Sequence, residues 1–325
     1  VLDEVARAFG DDARTLAEEL FPSRRTGARL ASAKPHTATL LDRLQLHDPN
    51  GPALAGVALT YGELLARVDA LAASLVAQGA VSGAQVAFLA PPGLTWVTTW
   101  LAVLRAGALA VPLSPLHPTP ELRHTVTVAS PRLLLATGAL APRLADVGMA
   151  VTTLESLEGS RAALLPPRPA PAAPALMLMT SGTTGKPKGV VTSHAALAAT
   201  CAALHAAWRL DPTDRLLHVL PLHHTHGVVV ALAAALWAGA SVRFAPFDAV
   251  TTWSDLAEAS VFMGVPTMYA KLVEAWRAPG GAGLARHAAG VRLFTSGSAA
   301  LPAPLFEAFR TATGVHAAAV IKAFR

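Results

Sequence analysis

The stretch Met179-Thr-Ser-Gly-Thr-Thr-Gly-Lys-Pro-Lys-Gly-Val190 sets the interpretation of the whole chain. An apolar run that predicts a buried strand precedes it, and a helix that begins after Ser193 follows it. Glycines let the backbone turn tightly and bring its N–H groups close to a ligand. Hydroxyl and ammonium groups suit phosphate oxygens. The stretch therefore predicts a polyphosphate-binding loop, with a flexible surface loop as the alternative.

The stretch is not a Walker A loop. That motif has two glycines with four residues between them, then Lys and a hydroxyl residue that binds magnesium. Here Gly182 and Gly185 are only three positions apart, and Pro187 follows Lys186. Residues 180–189 instead resemble the phosphate loop of adenylate-forming enzymes, which include acyl-CoA synthetases, peptide-synthetase adenylation domains and luciferases.

This resemblance implies that the loop binds the β and γ phosphates of ATP. The catalytic residue that it implies is Lys186, whose ammonium group would stabilise the charge that leaves with pyrophosphate. Lys188 lies nearer the loop exit and takes a supporting role. The ATP-binding residues expected in this loop are Thr180, Ser181, Gly182, Thr183, Thr184, Gly185, Lys186 and Lys188.

The composition is that of a globular chain with a large core. Of 325 residues, 53% are hydrophobic and only 14% are charged. The net charge of +5 comes from scattered Lys and Arg, so we expect no nucleic-acid partner. The single cysteine, Cys201, excludes an internal disulfide framework and a cysteine-based zinc site, and we expect it in the core.

No stretch of the sequence predicts a membrane span. The longest apolar run, residues 227–240, is too short to cross a bilayer and predicts a buried helix. Residues 22–40 contain arginines and no acidic residue, as in part of an organelle transit peptide, whereas residues 3–19 are acidic. We therefore expect a cytoplasmic protein, with the mitochondrial matrix as the alternative.

Strand and helix patterns alternate along the chain. Residues 86–90 and 133–136 are short apolar runs typical of buried strands. Thr60 and Glu63 have the spacing of a capping box, which predicts the start of a helix. Such alternation favours an α/β fold with a largely parallel sheet. The resemblance implies the N-terminal large domain of the adenylate-forming fold, with sheets flanked by helices and its C-terminal part truncated.

A Pro- and Ala-rich segment, residues 166–174, predicts a stiff connector between two subdomains. We expect an N-terminal extension over residues 1–36 and a first α/β subdomain over residues 37–165. A second, incomplete α/β subdomain over residues 175–325 would carry the phosphate loop.

Three histidines, His223, His224 and His226, follow a predicted strand. Imidazole is a common zinc ligand, so a metal cluster is one interpretation and a structural loop is another. The segment also resembles the family motif whose histidine lines the acyl pocket beside the phosphate loop. The resemblance assigns a catalytic and substrate-binding role to His224 and a place in the pocket wall to His226.

Residues 294–301 read Phe-Thr-Ser-Gly-Ser-Ala-Ala-Leu and resemble the loop that packs on adenine. Small side chains there would let the purine lie flat against the backbone. A simple strand-to-helix turn is the alternative. The nucleotide-binding residues that the resemblance assigns here are Ser296, Gly297, Ser298 and Ala299.

Residues 218–229, 261–271 and 292–301 are similar to segments of malonyl-CoA synthetases. A dicarboxylate needs a cation for its non-reacting carboxylate, and guanidinium binds a carboxylate in bidentate fashion. Arg292, just ahead of the adenine loop, is the expected substrate-binding residue. A surface arginine at the start of a strand is the alternative.

The resemblance covers about residues 37–315. The next family motif, an aromatic-Gly-x-Thr-Glu segment whose Glu helps hold Mg²⁺, is not found in residues 315–325, and Lys322 matches no motif. We therefore expect a chain of acid–thiol ligase ancestry that forms an acyl-adenylate from malonate or a methylmalonate-like acid and then an acyl-CoA.

We expect the 325-residue chain to be an incomplete and weakly active fragment. It would use ATP, Mg²⁺ and CoA, with a second chain or a missing C-terminal domain as partner. The alternatives are a medium- or long-chain fatty acyl-CoA synthetase, another acyl-adenylating enzyme, and a non-catalytic nucleotide-binding remnant.

Overall fold

The computed structural model describes residues 39–157, 164–180, 187–314 and, by backbone alone, 320–323. The predicted N-terminal extension, residues 1–36, lies outside these ranges. The α-helices are α1 Leu40–Leu44, α2 Tyr61–Ala77, α3 Leu94–Arg105, α4 Thr119–Ala129, α5 His194–Trp208, α6 Ala234–Ala238, α7 Ala249–Asp255, α8 Pro266–Arg277 and α9 Ala303–Thr313. The strands are β1 Pro52–Leu54, β2 Leu59–Thr60, β3 Gln85–Leu89, β4 Leu109–Pro112, β5 Leu133–Ala136, β6 Thr152–Thr153, β7 Pro174–Thr180, β8 Lys188–Ser193, β9 Arg215–His218, β10 Ser241–Phe244, β11 Val261–Gly264, β12 Leu293–Gly297 and β13 Val320–Ala323.

Side-chain caps begin helices α2 and α5 where the sequence predicts them. At α2, the Thr60 hydroxyl accepts a hydrogen bond from the Glu63 N–H at 3.3 Å, and the Glu63 carboxylate accepts from the Thr60 N–H at 2.9 Å. At α5, the Ser193 hydroxyl accepts from the Ala196 N–H. Each cap satisfies backbone donors that have no partner inside the helix.

The strands form two sheets, each largely parallel. The larger sheet has the order β13-β12-β11-β9-β10-β1-β2, and the smaller has the order β6-β5-β3-β4-β7-β8. Each contains one antiparallel pair, β1 with β2 and β7 with β8. Helices follow most of the parallel strands and supply the crossovers that such strands need. The expected α/β class with a largely parallel arrangement is confirmed.

The two sheets do not divide at the predicted connector. Strands β1 and β2 precede the connector, yet they belong to the sheet formed by β9–β13. Strands β7 and β8 follow it, yet β7 pairs with β4. Each sheet therefore contains strands from both sides of residues 166–174, because proline content marks a stiff segment and does not determine which strands pair.

The main apolar core lies between the sheets and their helices. It includes the ring cluster of Phe88, Trp96 and Trp100 together with Cys201, which is fully buried and free. A second core packs Phe262, Phe294 and other aromatic residues under α7, α8 and α9. In the part of the chain that the structure covers, no helix is both long and apolar enough to cross a membrane.

Candidate functional site

The candidate site lies beyond the carboxyl ends of strands β9 and β12, where ligands bind in open α/β sheets. After β9 ends at His218, the chain turns through residues 219–225, which we name the histidine loop. A π-helix, His226–Ala233, follows and continues directly into α6. This segment is buried throughout, as its apolar sequence predicts, whereas no sequence pattern indicated the wider π turn. Such turns occur often at functional sites.

The ring of His226 packs on the backbone of Gly297 at the end of β12. A Cβ atom built on Gly297 would lie 2.6 Å from Cε1 of His226 and 2.9 Å from its Nδ1. This contact brings together two segments that the sequence assigns separately, one to the acyl pocket and one to the adenine loop.

Both segments contain buried polar atoms that no described residue pairs with. Within the described ranges, neither ring nitrogen of His226 has a hydrogen-bond partner, and the buried hydroxyls of Thr295 and Ser296 also have none. Burial lowers the pKa of His226 to about 4, so its imidazole is neutral near pH 7. Neutral imidazole and hydroxyl groups can each donate to and accept from a polar ligand.

His224 lies on the exposed part of the histidine loop, in a row of three imidazoles. Its ring centroid is 4.1 Å from that of His223, which is in turn 4.6 Å from that of His117. Burial, followed by the nearby His117, lowers the pKa of His224. The structure therefore separates His224 from His226 along the loop: His224 faces the row, whereas His226 faces Gly297.

Sequence reasoning missed His117, which lies between β4 and α4. Arg143 positions this residue by donating hydrogen bonds to the backbone carbonyls of Pro115 at 2.7 Å and His117 at 2.8 Å. No motif in the sequence links residues 117 and 223, because their contact depends on how the two sheets pack against each other.

The adenine-loop segment begins inside β12 and leaves the sheet at Gly297. Ser296 is fully buried and Gly297 is buried, whereas Ser298 and Ala299 are exposed. Ser298 has a φ of 67°, in the left-handed region that residues other than glycine seldom adopt. The chain therefore turns sharply at the end of the strand, and two small, exposed residues directly follow Gly297.

The phosphate loop lies mostly outside the described residues. Ser181, Gly182, Thr183, Thr184, Gly185 and Lys186 belong to that gap. Its two ends are described: Thr180 closes β7 and pairs with Lys188 at the start of β8. At the loop exit, Nε2 of His124 on α4 donates to the carbonyl oxygen of Pro187 at 3.0 Å.

Arg292, the expected substrate-binding residue, lies apart from the contact between His226 and Gly297. It precedes β12, at the end of the strand opposite to Gly297. Its guanidinium donates to both carboxylate oxygens of Asp214, at 2.8 Å from Nε to Oδ1, and to the backbone carbonyls of Trp208 and Arg209. Asp214 raises the pKa of Arg292. These contacts tie the start of β12 to the start of β9 and give Arg292 a structural role.

Among the described residues, no group of three or more His, Cys, Asp or Glu side chains could hold a metal ion. The interpretation of His223, His224 and His226 as a metal cluster therefore has no support in this geometry. The same part of the chain offers no acidic cluster for Mg²⁺.

Comparison with known proteins identifies the family. The sequence profile of the AMP-binding enzymes matches residues 41–324, so the chain belongs to that family, as its motifs predict. A CoA ligase from Gibberella moniliformis is 32% identical over 86% of this chain and 55% of its own length. The mitochondrial malonate–CoA ligase of Mus musculus is 33% identical over 92% of this chain and 57% of its own length.

Solved structures agree on the fold. ATP-bound MatB from Rhodopseudomonas palustris superimposes with a TM-score of 0.78 at 32% identity, covering 89% of this chain and 60% of that one. A malonyl-CoA ligase in a ternary product complex with methylmalonyl-CoA and AMP gives a TM-score of 0.71 at 34% identity, covering 84% of this chain and 57% of that one. The chain thus spans about half the length of the curated relatives it matches.

Proposed function

We propose that this chain carries the nucleotide- and acyl-binding part of an AMP-forming acid–CoA ligase, and that the acid is malonate or a methylmalonate-like dianion. The structural observation behind the proposal is the contact between His226 and Gly297, which joins the acyl-pocket and adenine-loop segments. Membership of the AMP-binding family supplies the reaction type.

The choice of acid rests on the relatives. Several are named malonate–CoA ligases, and a relative from Cupriavidus necator that is 33% identical is named a sulfoacetate–CoA ligase. Both acids carry a second anionic group. Because Arg292 is bound to Asp214, we do not assign that second group to it.

In the proposed reaction, the substrate carboxylate attacks the α-phosphorus of ATP, giving an acyl-adenylate and pyrophosphate. The CoA thiolate then attacks the acyl carbon and releases AMP. Lys186 and the phosphate-loop hydroxyls would hold the leaving pyrophosphate. His224 and His226 would line the acyl pocket as neutral imidazoles, and residues 296–299 would contact adenine.

The proposed reaction uses ATP and CoA as substrates and Mg²⁺ as the metal that accompanies ATP. The described residues do not supply a set of Mg²⁺ ligands, so we derive no step through the metal. We further propose that the 325 residues alone turn over slowly, and that a C-terminal domain or second chain completes the enzyme. This rests on the coverage of 60% of the ATP-bound MatB chain.

Two alternative functions would differ from the proposed one in the acid that reacts. A medium- or long-chain acyl-CoA synthetase would prefer an apolar acid, and a nucleotide-binding remnant would bind ATP without any carboxylate-dependent reaction. For the compartment, we propose the cytoplasm, with the mitochondrial matrix as the alternative because some relatives are named mitochondrial.

The test is ATP–pyrophosphate exchange with a panel of acids, namely malonate, methylmalonate, sulfoacetate, acetate, octanoate and aspartate. We expect slow exchange that is fastest with the dianionic acids. Preference for octanoate would favour the fatty acyl alternative. Preference for aspartate would favour an amino-acid activator, and ATP binding without exchange for any acid would favour the remnant.

A further inference from the structure

We propose that His218 is a positioning residue for the acyl pocket: its hydrogen bond to Gly227 closes the base of the histidine loop and so holds His226 against Gly297. The proposal deepens the proposed function, because it concerns the same site. Neither a family motif nor a sequence pattern assigns a role to His218.

The two ends of the histidine loop meet at this hydrogen bond. His218 is the last residue of β9, and Gly227 is the second residue of the π-helix. Nε2 of His218 lies 2.9 Å from the carbonyl oxygen of Gly227, and both residues are buried. A bond between the residue before a loop and the first turn of the helix after it restricts the separation of the loop's ends.

The partner atom fixes the tautomer of His218. A carbonyl oxygen can only accept, so the proton must reside on Nε2, and Nδ1 carries a lone pair. That Nδ1 has no hydrogen-bond partner in the described structure. The ring also packs against Phe244, with centroids 4.9 Å apart, which restricts its rotation.

Gly227 cannot be displaced easily from this position. A Cβ at residue 227 would overlap with the carbonyl oxygen of Pro221, so the loop folds back onto its own backbone at a point where only glycine fits. The residue before Gly227 is His226, whose ring meets Gly297. A shift of the Gly227 carbonyl would therefore be transmitted directly to the His226 ring.

Three substitutions at His218 separate the hydrogen bond to Gly227 from the ring contact with Phe244. In His218→Gln, the amide nitrogen lies near the position of Nε2 and can still donate to Gly227. His218→Phe retains an aromatic ring for the contact with Phe244 but has no donor. His218→Asn is a third variant whose amide is too short to reach the carbonyl.

The first test does not depend on catalysis. Histidine-selective ¹⁵N NMR of the intact chain should show His218 as the neutral Nε2–H tautomer at pH 7. The imidazole resonance of His226 should shift in His218→Phe and in His218→Asn, and should stay near its native position in His218→Gln. An Nδ1–H tautomer, or a His226 resonance that is unchanged in all three variants, would overturn the proposal.

The second test separates positioning from simple loss of stability. In malonate-dependent ATP–pyrophosphate exchange, His218→Phe should raise the KM for malonate roughly tenfold, because the pocket wall moves, while the KM for ATP changes less than about twofold. His218→Gln should restore most of the malonate affinity. A lower kcat with both KM values unchanged would indicate only a smaller folded fraction and would count against positioning.

The two tests keep this inference distinct from the proposed function. If the native chain shows no exchange with any acid, the proposed function fails, and the NMR result alone decides the role of His218.

Discussion

The imidazole of His226 and the Cα of Gly297 are so close that the structure has no room for a side chain at residue 297. The nearest ring atom would be 2.6 Å from an added Cβ, well inside van der Waals contact. Seventy-one positions separate the two residues in the sequence, and their contact defines the candidate site.

Gly297→Ala tests whether this contact matters for the proposed reaction. The new methyl group must push the His226 ring away from β12, since the surrounding core is closely packed. We expect malonate-dependent exchange to fall about tenfold or more, with an overpacking cost of roughly 1–3 kcal/mol in the free energy of unfolding. Exchange kinetics and urea denaturation measure the two effects.

Gly290→Ala is the matched control, because its Cβ would meet only the carbonyl of Ala259 at an ordinary 3.8 Å. It should leave exchange and stability near native values. Native exchange rates in Gly297→Ala would show that the packing of His226 on residue 297 has no role in the site.

Arg292→Ala should act on stability and not on substrate affinity. Asp214 is 2% exposed, and without the guanidinium its carboxylate keeps only neutral donors, such as the Ser260 hydroxyl at 2.7 Å. Leaving a buried carboxylate without its cation should cost about 2–3 kcal/mol, measured by urea denaturation. The KM for malonate in the folded fraction should be unchanged.

The control for Arg292 is Arg310→Ala. Arg310 pairs with Glu307 on the surface of α9, and such exposed pairs contribute between about 0 and 1 kcal/mol. If Arg292→Ala instead left stability intact and raised the KM for malonate, Arg292 would be a substrate ligand after all.

Buried histidines should make the fold sensitive to acid. Burial lowers the pKa values of His194, His218 and His226 to about 4, against 6.5 for free histidine. Between pH 4 and pH 6.5 the unfolded chain therefore binds more protons than the folded chain. The stability of the folded state is thus highest above pH 6.5 and decreases as the pH falls toward 4. The urea concentration at the midpoint of unfolding should fall through this range.

His194→Leu isolates one contribution to this pH dependence. His194 is fully buried, and neither of its ring nitrogens is hydrogen-bonded to a residue that the structure describes. The charge of Asp42 offsets only part of the effect of burial on the pKa of His194. The variant should show a shallower fall in midpoint between pH 6.5 and 4 than the native chain. Replacement of the partly exposed His287 by Leu is the control, and an equal change in both variants would contradict this account.

His124→Ala tests the support of the phosphate-loop exit. Loss of the 3.0 Å hydrogen bond to the Pro187 carbonyl frees the end of the loop, so we expect ATP binding to weaken by about three- to tenfold in a calorimetric titration. His124→Gln can still donate and should bind ATP nearly as the native chain does. Equal ATP affinity in the alanine variant would separate His124 from the nucleotide site.

Local signals in the sequence predicted local structure well. The Thr60 capping box and the Ser193 cap place the starts of α2 and α5, and the strand at residues 133–136 is observed with the predicted bounds. These features depend on residues a few positions apart, whose physical chemistry can be read directly from the sequence.

Features that depend on distant partners could not be predicted in this way. The pairing of β1 with β10 joins residues 54 and 242, on opposite sides of the expected connector. The sequence places Arg292 four positions before Ser296, but a strand carries its two ends to opposite edges of the sheet. Only the structure shows Asp214 at the edge where Arg292 lies.

The most direct test of the central claim is detection of malonyl-adenylate. The chain would be mixed in stoichiometric amount with ATP, Mg²⁺ and malonate, quenched in acid and analysed by mass spectrometry, with Lys186→Ala as control. We predict malonyl-adenylate and pyrophosphate in the native reaction and a large loss of both in the variant. If ATP binds but no adenylate of malonate or methylmalonate forms, the chain is not the adenylating part of a malonate-type ligase.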